Sequence, residues 1–312
     1  MLSTNCLGEK ITYRVGENSE RLYPGYDPKL ATVLLLGGSY TSGLEEQETE
    51  SLSALLLKNN GIMSINLGRN GYDSMQALEY GKYYRDRFPN AKMVILNIMY
   101  ENLNHLVASY WPAYTVHPYI HALEFKSSVR GSVYHKVDPA IFDSKQNIIN
   151  AVEKALREDY WARPDPSFPY SLALLRAVTA NSFPDIMRMY KGRRENAEYR
   201  YQYQDEALSE NLRYVLREYA SWAEREKLVP LVFFVPRSGG DITSGGEWIE
   251  RNRDKLPEQL VMRNMDFTDV DPRRYNLKPN GDCHPSAYGI AAMARQYASL
   301  ITEHMPKNPE PK

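Results

Sequence analysis

The chain lacks the features that mark several protein classes. It holds two cysteines, Cys6 and Cys283, among 312 residues. Two thiols are too few for a disulfide framework, and they lack zinc-site spacing, so a reducing compartment is expected. No run of about 18 apolar residues occurs, which excludes a membrane-spanning helix. The opening stretch MLSTNCLGEKITYRVGENSE has neither the basic nor the apolar region of a secretory signal, so a cytoplasmic location is the default expectation. Excess charge of one sign is also missing, with 38 Lys+Arg against 39 Asp+Glu. Neither nucleic acid nor an anionic membrane is therefore expected as a partner. No repeat of solenoid period is present.

What remains is ordinary globular composition, 43% hydrophobic and 25% charged, with an excess of tyrosine (24, against 8 Phe and 4 Trp). Ala31 to Gly37, ATVLLLG, is an almost unbroken apolar run and suits a parallel strand covered on both faces. GGSYTSG follows, then a predicted helix from Glu45 to Asn60 closed by Gly61. Ile62 to Leu67 reads as a second strand, and Gly68-Arg69-Asn70-Gly71 leads to a helix capped by Asp73 or Ser74. Lys92 to Met99 is a third strand, Val229 to Val235 a fourth, with a short one around Val261 to Thr268. Strand and helix alternating at this spacing predict a three-layer α/β/α, doubly wound parallel sheet of flavodoxin-like type. The division expected is an irregular leader over 1–30, one α/β domain over 31–304 and a disordered tail over 305–312. A helical, aromatic insertion over about 103–205 interrupts the domain, being too long for a simple connection.

Ligands of open α/β sheets collect beyond the carboxyl ends of the strands. The first three strands deliver Ser39, Gly71 and Asn102 there, and the loop before the last helix delivers Asp282 and His284. A hydroxyl, an imidazole, a carboxylate and oxyanion donors are the parts of acyl transfer. GGSYTSG is not a phosphate loop, because Leu44 and Glu45 follow Gly43 where Walker A needs Lys and Ser/Thr. The G-x-G-x-x-G spacing of dinucleotide folds is absent too. Cys283 is read as a small filler. His117 and His121 have Pro118 between them and no accompanying glutamate motif, so no metal is assigned. Glu45, Glu46, Glu48 and Glu50 read as an acidic helix start that favours the helix dipole.

The joint pattern resembles the SGNH (GDSL-like) hydrolase superfamily. LLLGGSYTSG is similar to its first block, NLGRNGYDSMQALEY to its second, VILNIMYENL to its third and DCHPSAYG to its last. The resemblance implies Ser39 as nucleophile, His284 as base and Asp282 as the acid beside it. It also implies an oxyanion hole from the Ser39 and Gly71 N–H groups and the Asn102 amide. The chain departs from the usual pattern at Gly38, where an aspartate is common, and at Asp-x-His instead of Asp-x-x-His. That second departure leaves a backbone carbonyl or another acid such as Asp271 open as the partner of His284. Glu101 and Leu103 flank Asn102 in place of the usual Gly and Asp, which lets Asn104 compete for its role.

The activity so implied is serine esterase action on a carboxylic ester, with an O-acetyl group on a carbohydrate as the first expectation and no cofactor. Tyr110, Trp111, Tyr114 and Tyr119 would form a substrate wall. Two rivals stand beside it: an O-acyltransferase on the same site, and a non-catalytic glycan-binding or structural protein on a degenerate SGNH scaffold. The partner expected is a small-molecule or glycan ester, with oligomeric state open.

Overall fold

The computed structural model describes residues 2–99, 101–109, 127–158, 203–236, 242–277 and 284–306. Contacts divide the chain into two units, residues 1–102 with 212–312, and residues 103–211.

The first unit is built on five parallel strands: β1 (Val33–Leu36), β2 (Ser64–Asn66), β3 (Met93–Ile98), β4 (Val229–Phe234) and β5 (Val261–Asn264). Their order across the sheet is β2-β1-β3-β4-β5. The register pairs Val33 with Met93 and carries on through Met93 opposite Val229. This is the flavodoxin-like order of a doubly wound sheet, and its direction of winding reverses between β1 and β3. The crevice for a ligand therefore opens beyond the carboxyl ends of those two strands.

The strands are apolar on both faces because helices cover both. Val33 and Leu35 of β1, Met93 and Ile95 of β3, and Leu231 and Phe233 of β4 share one buried cluster. It is completed by Leu52 and Leu56 of the helix Leu52–Asn60 and by Ile290, Met293 and Tyr297 of the helix Ala287–His304. Each such aliphatic side chain contributes about 1.5–3 kcal/mol by leaving water. On the other face Leu36 lies against Gly81 of the helix Ser74–Tyr84, where a Cβ would come within 2.7 Å of the leucine. Tyr219, on the helix Glu206–Arg225, is wholly buried, and its single hydroxyl donor lies between the carbonyls of Val94 (2.8 Å) and Leu231 (2.9 Å).

Helix ends follow local chemistry. Ser51 accepts from the Ala54 N–H, and Gly61 closes the same helix in the left-handed conformation. Asp73 caps Ser74–Tyr84 through a capping box with Gln76. The leader holds more order than its composition suggests: Leu2–Thr4 and Lys10–Thr12 form an antiparallel hairpin, and Arg21 bridges to Asn66. Among the described residues no helix is long and apolar enough to cross a membrane.

The second unit contains an antiparallel hairpin, Ser128–Arg130 with Val133–His135, and the helix Lys145–Glu158. Ser132 at the hairpin turn donates its N–H to Asn211 (3.1 Å) and its hydroxyl to Glu210 (3.0 Å).

Candidate active site

After β1 the chain must bend sharply to turn a strand into a helix against β3. Gly37 permits this, since a Cβ there would lie 2.3 Å from Thr41 Oγ1 and 2.9 Å from Asn97 Cβ. Gly38 is the extended N-cap of the short helix Ser39–Ser42, which makes Ser39 its first residue. The Ser39 carbonyl accepts from the Gly43 N–H (3.0 Å) and the Ser42 hydroxyl (2.9 Å). Its side chain is half-buried at the carboxyl end of β1.

The loop after β2 is tied to this turn by side chains as well as backbone. Asn66 accepts from the Gly68 N–H (2.9 Å) and donates to the Thr41 carbonyl (2.6 Å). The Arg69 N–H reaches the Gly37 carbonyl at 2.9 Å, and Asn97 donates to Thr41 Oγ1 at 2.9 Å. Gly71 has a φ of 76°, a left-handed turn that presents its N–H without a side chain. Among the described residues neither the Ser39 N–H nor the Gly71 N–H is taken by a hydrogen bond, so both remain donors.

Asn102 is buried just beyond β3. Its Oδ1 accepts from the Met99 N–H (2.6 Å) and its Nδ2 donates to the Tyr72 carbonyl (3.2 Å). That Nδ2 lies 3.6 Å from where a Cβ on Gly38 would stand, so the amide sits beside the turn that carries Ser39. An amide nitrogen carries two donors, and the second takes no hydrogen bond among the described residues. The side chain of Asn104, the competing amide, lies outside the described residues.

His284 enters from the far end of the chain, just before the helix Ala287–His304. Its carbonyl accepts from the Leu277 N–H (3.0 Å), Pro285 bridges to Asn276, and Ser286 caps the helix. The imidazole edge meets the Tyr40 ring, with centroids 5.5 Å apart at 60°. Its Nδ1 lies 3.3 Å from Glu45 Oε1, with the two side chains 23% and 13% exposed. Ser39 Oγ makes no hydrogen bond to His284 in this arrangement.

Glu45 was expected to serve only a helix dipole. Instead it stands in the turn after Ser39–Ser42, well before the helix that begins at Leu52. Burial raises its carboxyl, but the close approach of His284 outweighs that. The main-chain N–H groups of His284 and Cys6 add to the effect, so the carboxyl is held below its ordinary value. Asp271, the other acid considered, is engaged elsewhere: it caps Pro272–Tyr275 and pairs with Arg273 at 3.2 Å. Cys6 is disulfide-bonded. Cys283 and Asp282 lie outside the described residues, as do Tyr110, Trp111, Tyr114 and Tyr119.

The sequence reading also missed a buried polar group under the turn that carries Ser39. Arg21 donates to the carbonyls of Ser42 (2.7 Å), Gly43 and Glu46 (2.5 Å), and stacks 4.6 Å over the Tyr13 ring. Burial pushes the neighbouring Glu46 carboxyl up to about 8, against the pull of Arg21 and with help from Glu50 and Glu45. The folded chain thus keeps a proton that the unfolded chain releases near 4.5. Stability linked to this group is intact below pH 4.5 and is lost as pH rises to about 8. Glu46→Gln is expected to flatten that loss, leaving the variant more stable than the parent at pH 9 by up to about 5 kcal/mol. Urea unfolding at pH 5 and pH 9 measures it; an unchanged difference between the two pH values would refute it.

No family model matches the chain, and no curated protein matches it. Among solved structures, the chain is similar to one described as a lipolytic protein of the G-D-S-L family from Desulfitobacterium hafniense DCB-2. The likeness has 13% identity and a TM-score of 0.37, over 86% of this chain and 99% of that one. At that distance it carries no weight for the chemistry. What the chain's own fold and residues define is a three-layer α/β/α protein with a serine, an imidazole and a half-buried carboxylate at its switch-point edge.

Proposed function

We propose that the protein is a serine hydrolase of carboxylic esters, with Ser39 as nucleophile and His284 as general base. The observation that carries this is the convergence of two segments at one sheet edge: the Ser39 turn, and His284 packed on Tyr40 with its Nδ1 facing a carboxylate. A serine hydroxyl attacks a carbonyl only when a base takes its proton, and a carboxylate behind the base stabilises the imidazolium that results. Ser39 Oγ would close on His284 Nε2 in the substrate complex, since such contacts tighten on binding. The Ser39 and Gly71 N–H groups and Asn102 Nδ2 would then hold the tetrahedral oxyanion. The intermediate collapses as His284 passes its proton to the departing alcohol; water then attacks the acyl-Ser39 ester, His284 taking the water's proton and returning it to Ser39 as the acid leaves.

A carbohydrate ester is the substrate class we favour. Tyr72, next to Gly71, starts a run of edge-to-face rings through Tyr80 and Tyr84 to Tyr83, at centroid separations of 5.6, 4.8 and 4.8 Å. Arg69 lies 5.0 Å over the Tyr80 ring, and Tyr83 is 77% exposed. Rings with an apolar face and a polar tip suit the mixed surface of a sugar. The Cys6 disulfide favours an oxidising compartment as the place of action.

Turnover of p-nitrophenyl acetate, with and without a sugar acceptor, is the test. Acyl groups passing to water are expected; transfer chiefly to the acceptor would make the protein an acyltransferase, and absence of turnover a binding protein. Asn102→Ala is expected to lower kcat by about 10²–10³-fold through the loss of one oxyanion donor. An unchanged kcat in a folded variant would remove Asn102 from the oxyanion hole.

A further inference from the structure

We infer that Glu45, in place of Asp282, is the positioning residue that orients the His284 imidazole during the reaction. This rests on the hydrolase reading above and adds to it an acid that the four sequence blocks do not contain.

Three observations converge on Glu45. Its Oε1 lies 3.3 Å from His284 Nδ1, which leaves Nε2 as the nitrogen able to face Ser39. The approach is short of an aligned hydrogen bond: His284 Nδ1 and Glu45 Oε2 are both buried without one. The unmet ring nitrogen thus stands 3.3 Å from Glu45 Oε1, and a small rotation of the ring would align the two. Water has little access to the pair, so the attraction between carboxylate and imidazolium is only weakly screened.

Position in the chain supplies the second argument. Glu45 belongs to the same turn as Ser39 and Tyr40, a turn anchored underneath by Arg21 on the Ser42, Gly43 and Glu46 carbonyls. The imidazole is thereby held between Tyr40 on its edge and Glu45 at Nδ1, both from the segment that carries the nucleophile. Nucleophile and orienting acid then move as one body, and the base docks onto them. The resemblance instead puts acid and base together on the last loop.

The third argument is convergence on the carboxylate. Main-chain N–H groups of Cys6 and His284 both favour the ionised form of Glu45. Cys6 follows the strand Leu2–Thr4 and is disulfide-bonded, so the segment that supports Glu45 is covalently fixed. A carboxylate so surrounded stays charged and does not wander, the two properties an orienting acid needs.

The test uses the full chain with p-nitrophenyl acetate, comparing Glu45→Gln, Glu45→Asp and Asp282→Asn. Glu45→Gln is expected to lower kcat by about 10²–10³-fold with KM within about twofold, because the acid acts on the transition state and not on binding. Glu45→Asp should recover at least about a tenth of the parent kcat, since it keeps the charge. The loss in Glu45→Gln should exceed that in Asp282→Asn by at least about tenfold. A Glu45→Gln kcat within threefold of the parent, or an equal or greater loss in Asp282→Asn, overturns the inference. Should Glu45→Gln fail to fold, the downfield proton resonance of the His284 Nδ1–H decides. It should be absent in His284→Ala and present in Asp282→Asn, and its disappearance in Asp282→Asn also overturns the inference. Activity retained in Ser39→Ala would sink the hydrolase reading itself; Ser39-dependent activity with a fully active Glu45→Gln sinks only the role of Glu45.

Discussion

Ser39→Ala is expected to reduce kcat on p-nitrophenyl acetate by about 10⁴–10⁶-fold, leaving only the rate that binding and the oxyanion donors supply. The expectation is large because no second hydroxyl takes its place. Ser42, one turn on, spends its hydroxyl on the Ser39 carbonyl, and Thr41 accepts from Asn97. The fold should survive the change. Among the described residues Ser39 Oγ makes no hydrogen bond, and the turn is held by Gly37, Gly38 and the bonds from Arg21, Asn66 and Arg69 to its backbone. A melting temperature within about 2 °C of the parent is expected, as for a substitution that removes neither core contact nor cap. Progress curves and a thermal melt on the same preparation check both halves of the statement.

His284→Ala is expected to cost about as much as Ser39→Ala, and the double variant no more than either alone. The two groups act as one unit: the imidazole matters only by taking the proton of the hydroxyl, and the hydroxyl is inert without it. Independent roles would make the losses multiply. Measuring the two single variants and the double closes the cycle. A double variant slower than both singles by the product of their effects would mean that Ser39 and His284 do not work together.

The parallel sheet was legible because its strands are unbroken apolar runs between glycine-rich turns. ATVLLLG and KMVILNIM contain the strands observed at Val33–Leu36 and Met93–Ile98. The predicted second strand, Ile62 to Leu67, shrinks to Ser64–Asn66, although Met63 still accepts from the Thr32 N–H and Leu67 still donates to the Leu35 carbonyl. Asp73 announced its helix through the Asp-x-x-Gln capping pattern. The helix expected from Glu45 begins only at Leu52, because Glu45 and Glu46 are drawn into the turn by His284 and Arg21 respectively.

Other features leave no local signal. Glu45 meets His284 from the opposite end of the chain, and nothing in either segment encodes the pairing. Arg21 reads as one more charge in a polar leader, and only the fold shows it buried under the Ser39 turn. The hairpin of Leu2–Thr4 with Lys10–Thr12 has strands of three residues, too short for any alternation to emerge. Serine, glycine and asparagine at strand ends were visible one by one, and the strand order made them neighbours.

Covalent labelling tests the central claim most directly. A fluorophosphonate probe incubated with the native chain, followed by proteolysis and mass mapping, reports which side chain is an activated nucleophile. The expected result is one stoichiometric adduct on Ser39, formed at least about 10²-fold more slowly in His284→Ala, where the base is missing. No adduct, or an adduct on another residue with Ser39 unmodified, would contradict the assignment of this sheet edge as a serine hydrolase site.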